Sequence, residues 1–177
     1  MTSSDDLFVF YDTETTGLDI NFSQIIQIGS VLTDSNFKIL DELNLSSQVL
    51  PWVVPSPDAF LVHKQTACLE NGLSHFEMMR TLREKWLSWG KEKNLIFVSY
   101  NGHRFDEELV RRQFYWNLFD PYITNTNGNR RLDLMSLFQI IGNFFDSKIK
   151  VPKDDEENIS LKLTDLAKEN NISVSYT

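Results

Sequence analysis

The chain has 177 residues, 41% hydrophobic and 12% aromatic, which suits one domain with a real core and is too apolar for a disordered segment. A formal net charge of −8 excludes a domain that grips nucleic acid through a broad basic surface, but it permits a local site built from acids. The single cysteine, Cys68, cannot form an internal disulfide, and the polar start from Met1 to Asp6 precedes no long apolar span. These features predict an intracellular, cytoplasmic protein without membrane contact.

Leu7 to Tyr11 is apolar until the tyrosine, the composition of a central strand buried on both faces. It delivers Asp12 and Glu14 and breaks at Gly17. If extended backbone persists to Glu14, the period of two puts both carboxylates on one face and Thr13 on the other. Two acids there repel and call for a cation, and hard oxygen donors suit Mg2+ or Mn2+. The alternative is a solvated strand-end turn, since Asp, Thr and Gly are ordinary turn residues.

Gln24 to Asp34 is β-branched and ends at Asp34-Ser35-Asn36, and Lys38 to Leu45 alternates as a third strand, so the first three strands read as an antiparallel meander. Pro51, Pro55 and Pro57 predict a loop over Leu50 to Asp58. Ser74 and Glu77 match a capping box, and Phe76, Met79, Arg83, Trp86 and Trp89 follow at helical spacing as a core stripe, with Gly90 as the stop. Asn94 to Tyr100 is a buried strand and Asn101-Gly102-His103 a turn. The next helix opens on Asp106, Glu107 and Glu108, includes Trp116 and Leu118, and stops before Asp120-Pro121. Asn125 to Asn129 is a polar loop. Leu132, Met135, Phe138, Ile141 and Phe145 trace another helical face; Lys153 to Asn158 is a charged linker; Ser160 is placed to cap a last helix closed by Asn170-Asn171.

The element order, with a carboxylate pair on the first strand and a third acid opening the helix after the fourth, resembles the ribonuclease H-like fold: α/β, a mixed sheet with a three-strand meander and flanking helices. Phe10 to Gly17 resembles the first motif of the DEDD, or DnaQ-like, exonucleases, and Tyr100 to Asp106 the second. Arg104-Phe105-Asp106-Glu107-Glu108, Arg111, Phe114-Tyr115, Asn117, Asp120-Pro121-Tyr122, Arg131 and Asp133-Leu134 are similar to the bacterial exonuclease I type more than to proofreading subunits or ribonuclease T. The implied organisation is a polar tail over 1–6 and an exonuclease domain over 7–177.

That resemblance implies two-metal hydrolysis of a phosphodiester at the 3′ end of single-stranded DNA, releasing nucleoside 5′-monophosphates. Asp12 would bridge two ions, Mg2+ or Mn2+, with Glu14 on the water-activating ion and Asp106 supporting the other. Thr13 and Thr15 through their backbone, with Val62, His63, Arg111, Tyr122 and Lys162, would contact substrate; Lys162 stands where the type carries arginine, which removes a bidentate fork. A single-strand DNA-binding protein is the implied second partner. Other readings stay open. Arg111 could pair with Glu107 or Glu108, Tyr122 could pin its turn, His63 and His103 could be ordinary surface histidines, and Asp133 could serve a helix N-terminus.

The family's third motif, a histidine with an aspartate five residues on, is expected after the helix ending near Asn171, and the sequence to Thr177 holds neither. The domain is therefore expected to be incomplete at its C-terminal end and these 177 residues to be nearly inactive, because losing members of a catalytic unit is not repaired by the rest. The competing expectations are a non-catalytic domain that binds a nucleic-acid end or a partner, and an exoribonuclease.

Overall fold

The computed structural model describes residues 6–63, 72–145, 148–153, 156 and 158–173, excluding the side chains of residues 60, 62 and 63. Five strands form one sheet: β1 (Leu7–Thr15), β2 (Ile25–Thr33), β3 (Ile39–Ser46), β4 (Leu95–Ser99) and β5 (Arg130–Asp133), in the order β3-β2-β1-β4-β5. β1 pairs antiparallel with β2 and β2 with β3, as the meander predicts, whereas β4 lies parallel to β1. The parallel step requires a crossover, supplied by α1 (Pro57–His63) and α2 (His75–Trp89).

β1 carries Asp12 and Glu14 and runs one residue beyond them, through Thr15, with a bulge against β2 between Glu14 and Thr15. Val9, Tyr11, Thr13 and Thr15 are buried on one face. The expectation of burial on both faces is corrected. Phe8 and Phe10 are only half-buried, and Phe37, in left-handed backbone in the β2–β3 turn, lays its ring 5.6 Å from that of Phe8.

The core lies between the Val9–Tyr11 face and α2. Trp86 is fully buried, with its ring edge-on to Tyr11 at 5.5 Å, Phe97 at 4.9 Å and Phe114 at 6.1 Å. Its indole N–H donates to Ser30 Oγ at 3.2 Å, so a large apolar payload enters with its one polar group satisfied. The capping box at Ser74 and Glu77 is present. Met79, Trp86 and Trp89 of the expected α2 stripe are buried, whereas Phe76 and Arg83 are not. The buried face comprises His75, Met78, Met79, Leu82, Trp86 and Trp89, while Phe76 is half exposed, so the first turn of α2 faces the core through His75 and Met78.

α3 (Asp106–Trp116) packs Leu109, Val110 and Phe114 into the same core. It stops at Asn117, short of Leu118, whose positive φ of 60° ends the helical path. Among the described residues, α1, β5 and a short 3-10 turn over Ile123–Asn125 escaped the sequence reading. α1 begins with Pro57 at its first position, where a missing N–H costs nothing. β5 is four residues long, with three of its four side chains charged, too short to show a period. Asp6 is no free tail: it is buried, and Arg130 Nη2 donates to it at 2.9 Å.

The chain divides into two compact units, Met1–Leu132 and Asp133–Thr177. The second holds α4 (Leu134–Phe144) and α5 (Leu163–Glu169). Asp133 caps α4, accepting from the amides of Met135 and Ser136. Ser160 does not cap α5. Lys162 occupies that position, and the Ser160 hydroxyl donates to Asp165 at 2.5 Å instead. Gly142 lies where a Cβ would stand 3.0 Å from Val151 and Ile159, so α4 closely approaches that loop. Among the described residues no helix is long and apolar enough to cross a membrane.

Candidate active site

The end of β1 is held by its surroundings. The Thr16 amide donates to the Gln24 carbonyl at 2.9 Å, the Gln24 amide returns to Thr16 Oγ1 at 2.9 Å, and the Ser56 amide donates to the Thr16 carbonyl at 2.7 Å. Thr15 Oγ1 donates to the Gly17 carbonyl at 2.7 Å. Its side chain is thus used internally, leaving its backbone as the group the resemblance assigns to substrate. The strand stays extended through the acids, so Asp12 and Glu14 share the face opposite Thr13; Asp12 is exposed and Glu14 half-buried.

Asp106 arrives from a different direction. It is buried at the first position of α3, after a turn in which Asn101 adopts left-handed backbone. Gly102 allows the close approach: a Cβ there would lie 2.5 Å from Ser99 Oγ and 3.1 Å from Asp106 Oδ2. Thr13 Oγ1, on the buried face of β1, donates to Asp106 Oδ1. One residue between two acids therefore grips the third. Burial, opposed by the Thr13 bond and aided by the charge of Asp12, pushes the Asp106 carboxyl up to about 6. Burial and the carboxylates of Glu107 and Asp106 likewise push the Tyr11 phenol up, and that phenol is hydrogen-bonded to Ser99.

Among the described residues no three His, Cys, Asp or Glu side chains are grouped tightly enough to hold a metal ion. The donor chemistry nevertheless fits one. Asp12 and Glu14 lie on one face of β1, and the Asp106 carboxylate, bonded to Thr13, is close enough to feel the charge of Asp12. A divalent cation would offset the burial that chiefly raises Asp106, together with the added repulsion of Asp12.

Arg111 Nη1 bonds Glu108 Oε1 at 2.5 Å, and its guanidinium lies 4.8 Å from the centre of the Tyr122 ring. Arg111 and Tyr122 therefore form one cation–π pair. Val62 and His63 belong to α1, but their side chains lie outside the described residues. Lys162 is exposed in the second unit, on an open groove of about 650 Å³ that Lys153, Asp165 and Lys168 also line. Sequence reasoning missed Glu107, which is wholly buried and accepts from Arg131 Nη1 at 2.7 Å and Thr124 Oγ1 at 2.9 Å. The only signal was three successive acids at a helix start, which reads equally as dipole compensation.

The exonuclease family model RNase_T matches residues 9–175, and the chain belongs to that family, with a DnaQ-like, ribonuclease H-like α/β fold. Exodeoxyribonuclease I of Buchnera aphidicola subsp. Schizaphis graminum is 30% identical over 174 residues, covering 94% of this chain and 34% of the relative. The structure of E. coli exonuclease I in complex with a dT13 oligonucleotide superposes with a TM-score of 0.85 at 24% identity, over 96% of this chain and 37% of that one. A complex of exonuclease I with SSB-Ct gives 0.86 at 24% identity, over 97% and 37%. A Francisella tularensis oligoribonuclease (strain WY96-3418) is 32% identical over 85 residues, 48% of this chain and 42% of the relative. The chain thus spans about a third of the length of the exodeoxyribonuclease it matches.

Proposed function

We propose that this chain carries the metal-binding part of a 3′-5′ exonuclease site that acts on single-stranded DNA and releases nucleoside 5′-monophosphates. The observation that carries it is the Asp12–Thr13–Glu14 alternation, with Thr13 drawing Asp106 to the same strand end. Asp12, Glu14 and Asp106 would hold two divalent ions, Mg2+ or Mn2+. The ions supply a Lewis acid for the phosphate and a water of lowered pKa. The protein's own part is to fix the carboxylates before the ions arrive, so that little reorganisation remains at reaction. Arg111 and Tyr122 offer a cation and an aromatic face in one place, suited to a phosphate and an unpaired base.

The direct test is Mn2+ titration by calorimetry together with digestion of a 3′-labelled single strand. Binding lost in Asp12→Ala supports the reading. Single-strand binding that ignores both EDTA and Asp12→Ala would favour a non-catalytic end-binding domain. RNA is the second substrate reading, favoured by the oligoribonuclease match; equal-length DNA and RNA strands compared in the same assay decide between them. SSB is proposed as a partner only by likeness to the exonuclease I complex.

A further inference from the structure

α3 begins without a side-chain cap: Phe105 occupies the N-cap position and makes no such bond. Three acids fill its first turn, and one of them, Asp106, must be held still for the site proposed above. Backbone bonds to the Gly102 carbonyl, from Phe105 at 3.2 Å and Glu107 at 2.9 Å, tie the turn only to the loop that precedes it.

The Thr13 bond to Asp106 ties the turn to β1, and a second, independent attachment comes from Glu107. Its side chain is 1% exposed, and Oε1 accepts two bonds from different elements: Arg131 at the start of β5, and Thr124 in the short 3-10 turn over Ile123–Asn125. Oε2 is buried with no hydrogen bond among the described residues. Burying a carboxylate is costly, and a surface salt bridge would not require it. An inward ion pair with two donors on separate elements is instead a fixed point, and it lies one residue from Asp106.

We propose that Glu107 is a positioning residue: clamped by Arg131 and Thr124, it substitutes for the absent cap, fixes the first turn of α3, and so holds the Asp106 carboxylate against Thr13 for metal binding. This rests on the reading of Asp106 as a metal-site acid. Shells of this kind typically change metal affinity about 10–100-fold when removed.

Hydrogen–deuterium exchange and Mn2+ calorimetry on the full 177-residue chain, in wild type, Glu107→Gln and Glu107→Ala, test it together. Gln keeps the acceptor oxygen for both donors, whereas Ala removes it. In Glu107→Ala, exchange of amides 105–109 should accelerate on the order of tenfold with β1 and β2 protection retained, and Mn2+ affinity should fall about tenfold. Glu107→Gln should restore both to within about threefold, which a purely charge-based effect would not do. Unchanged exchange at 105–109 in Glu107→Ala overturns the proposal. So does faster exchange with unaltered Mn2+ affinity, since the clamp would then serve stability alone. If wild type itself binds no Mn2+, the metal reading fails, and the exchange result still decides whether Glu107 is the tether. Should Glu107→Ala not fold, the double variant Glu107→Met/Arg131→Met removes both charges of the clamp together without leaving a buried unpaired carboxylate, and is read in the same way.

Discussion

Asp106→Asn should stabilise the metal-free protein at neutral pH, the reverse of the usual result for a buried hydrogen-bonded acid. In the folded state the carboxyl is pushed from 3.8 to about 6, chiefly by burial. The folded state therefore holds this proton more tightly than the unfolded one. Its contribution to stability is fully present below 3.8 and is lost as pH rises through about 6. Two units correspond to about 3 kcal/mol of strain carried at neutral pH, and the side chain is too buried for solvent to screen it. Asparagine removes the charge but accepts a weaker bond from Thr13, returning about 1 kcal/mol of that gain. The net is about 2 kcal/mol, or roughly 4–8 °C in Tm for a chain of this size. Thermal unfolding in EDTA and in saturating Mg2+ reads it: Mg2+ should raise the wild-type Tm and move Asp106→Asn little. A variant less stable than wild type in EDTA, or an equal Mg2+ response in both proteins, would refute the reasoning.

His75 acts against Asp106 in the same pH range. It is buried with neither ring nitrogen hydrogen-bonded among the described residues, and burial pushes it down to about 4. Its contribution is complete above 6.5 and declines as pH falls toward 4, by about 3 kcal/mol at most. Wild-type stability should therefore vary little between these limits, whereas Asp106→Asn loses stability on acidification and His75→Leu gains it; denaturant midpoints across the range show both slopes. Gly102→Ala forces a Cβ onto Ser99 and should cost about 1–3 kcal/mol, partly recovered by Ser99→Gly, as measured by urea unfolding. Trp86→Ala empties the centre of the core and should cost about 3–5 kcal/mol by the same measurement. Asp12→Ala should abolish Mn2+ binding in calorimetry while leaving Tm in EDTA unchanged or higher, because an exposed acid that repels Asp106 is removed.

What the sequence by itself determined is whatever depends on short-range periodicity and local chemistry. The alternation of β1 placed Asp12 and Glu14 on one face and Thr13 on the other, and the Ser74–Glu77 box set the start of α2. The order of strands and the two acidic motifs carried the family. Tertiary structure decided the rest. Thr13 became the partner of Asp106 because the parallel pairing of β4 with β1 brings residues 93 positions apart to one strand end. Glu107 turned from a helix-terminal charge into a buried clamp because β5, invisible at four residues, delivers Arg131 beside it. Arg111 met both Glu108, three residues back, and Tyr122, across a turn; spacing could suggest the first contact and not the second. The physical reason is common to all three. Local pattern fixes which way a side chain points from its own backbone, and only packing between distant segments fixes what it meets there.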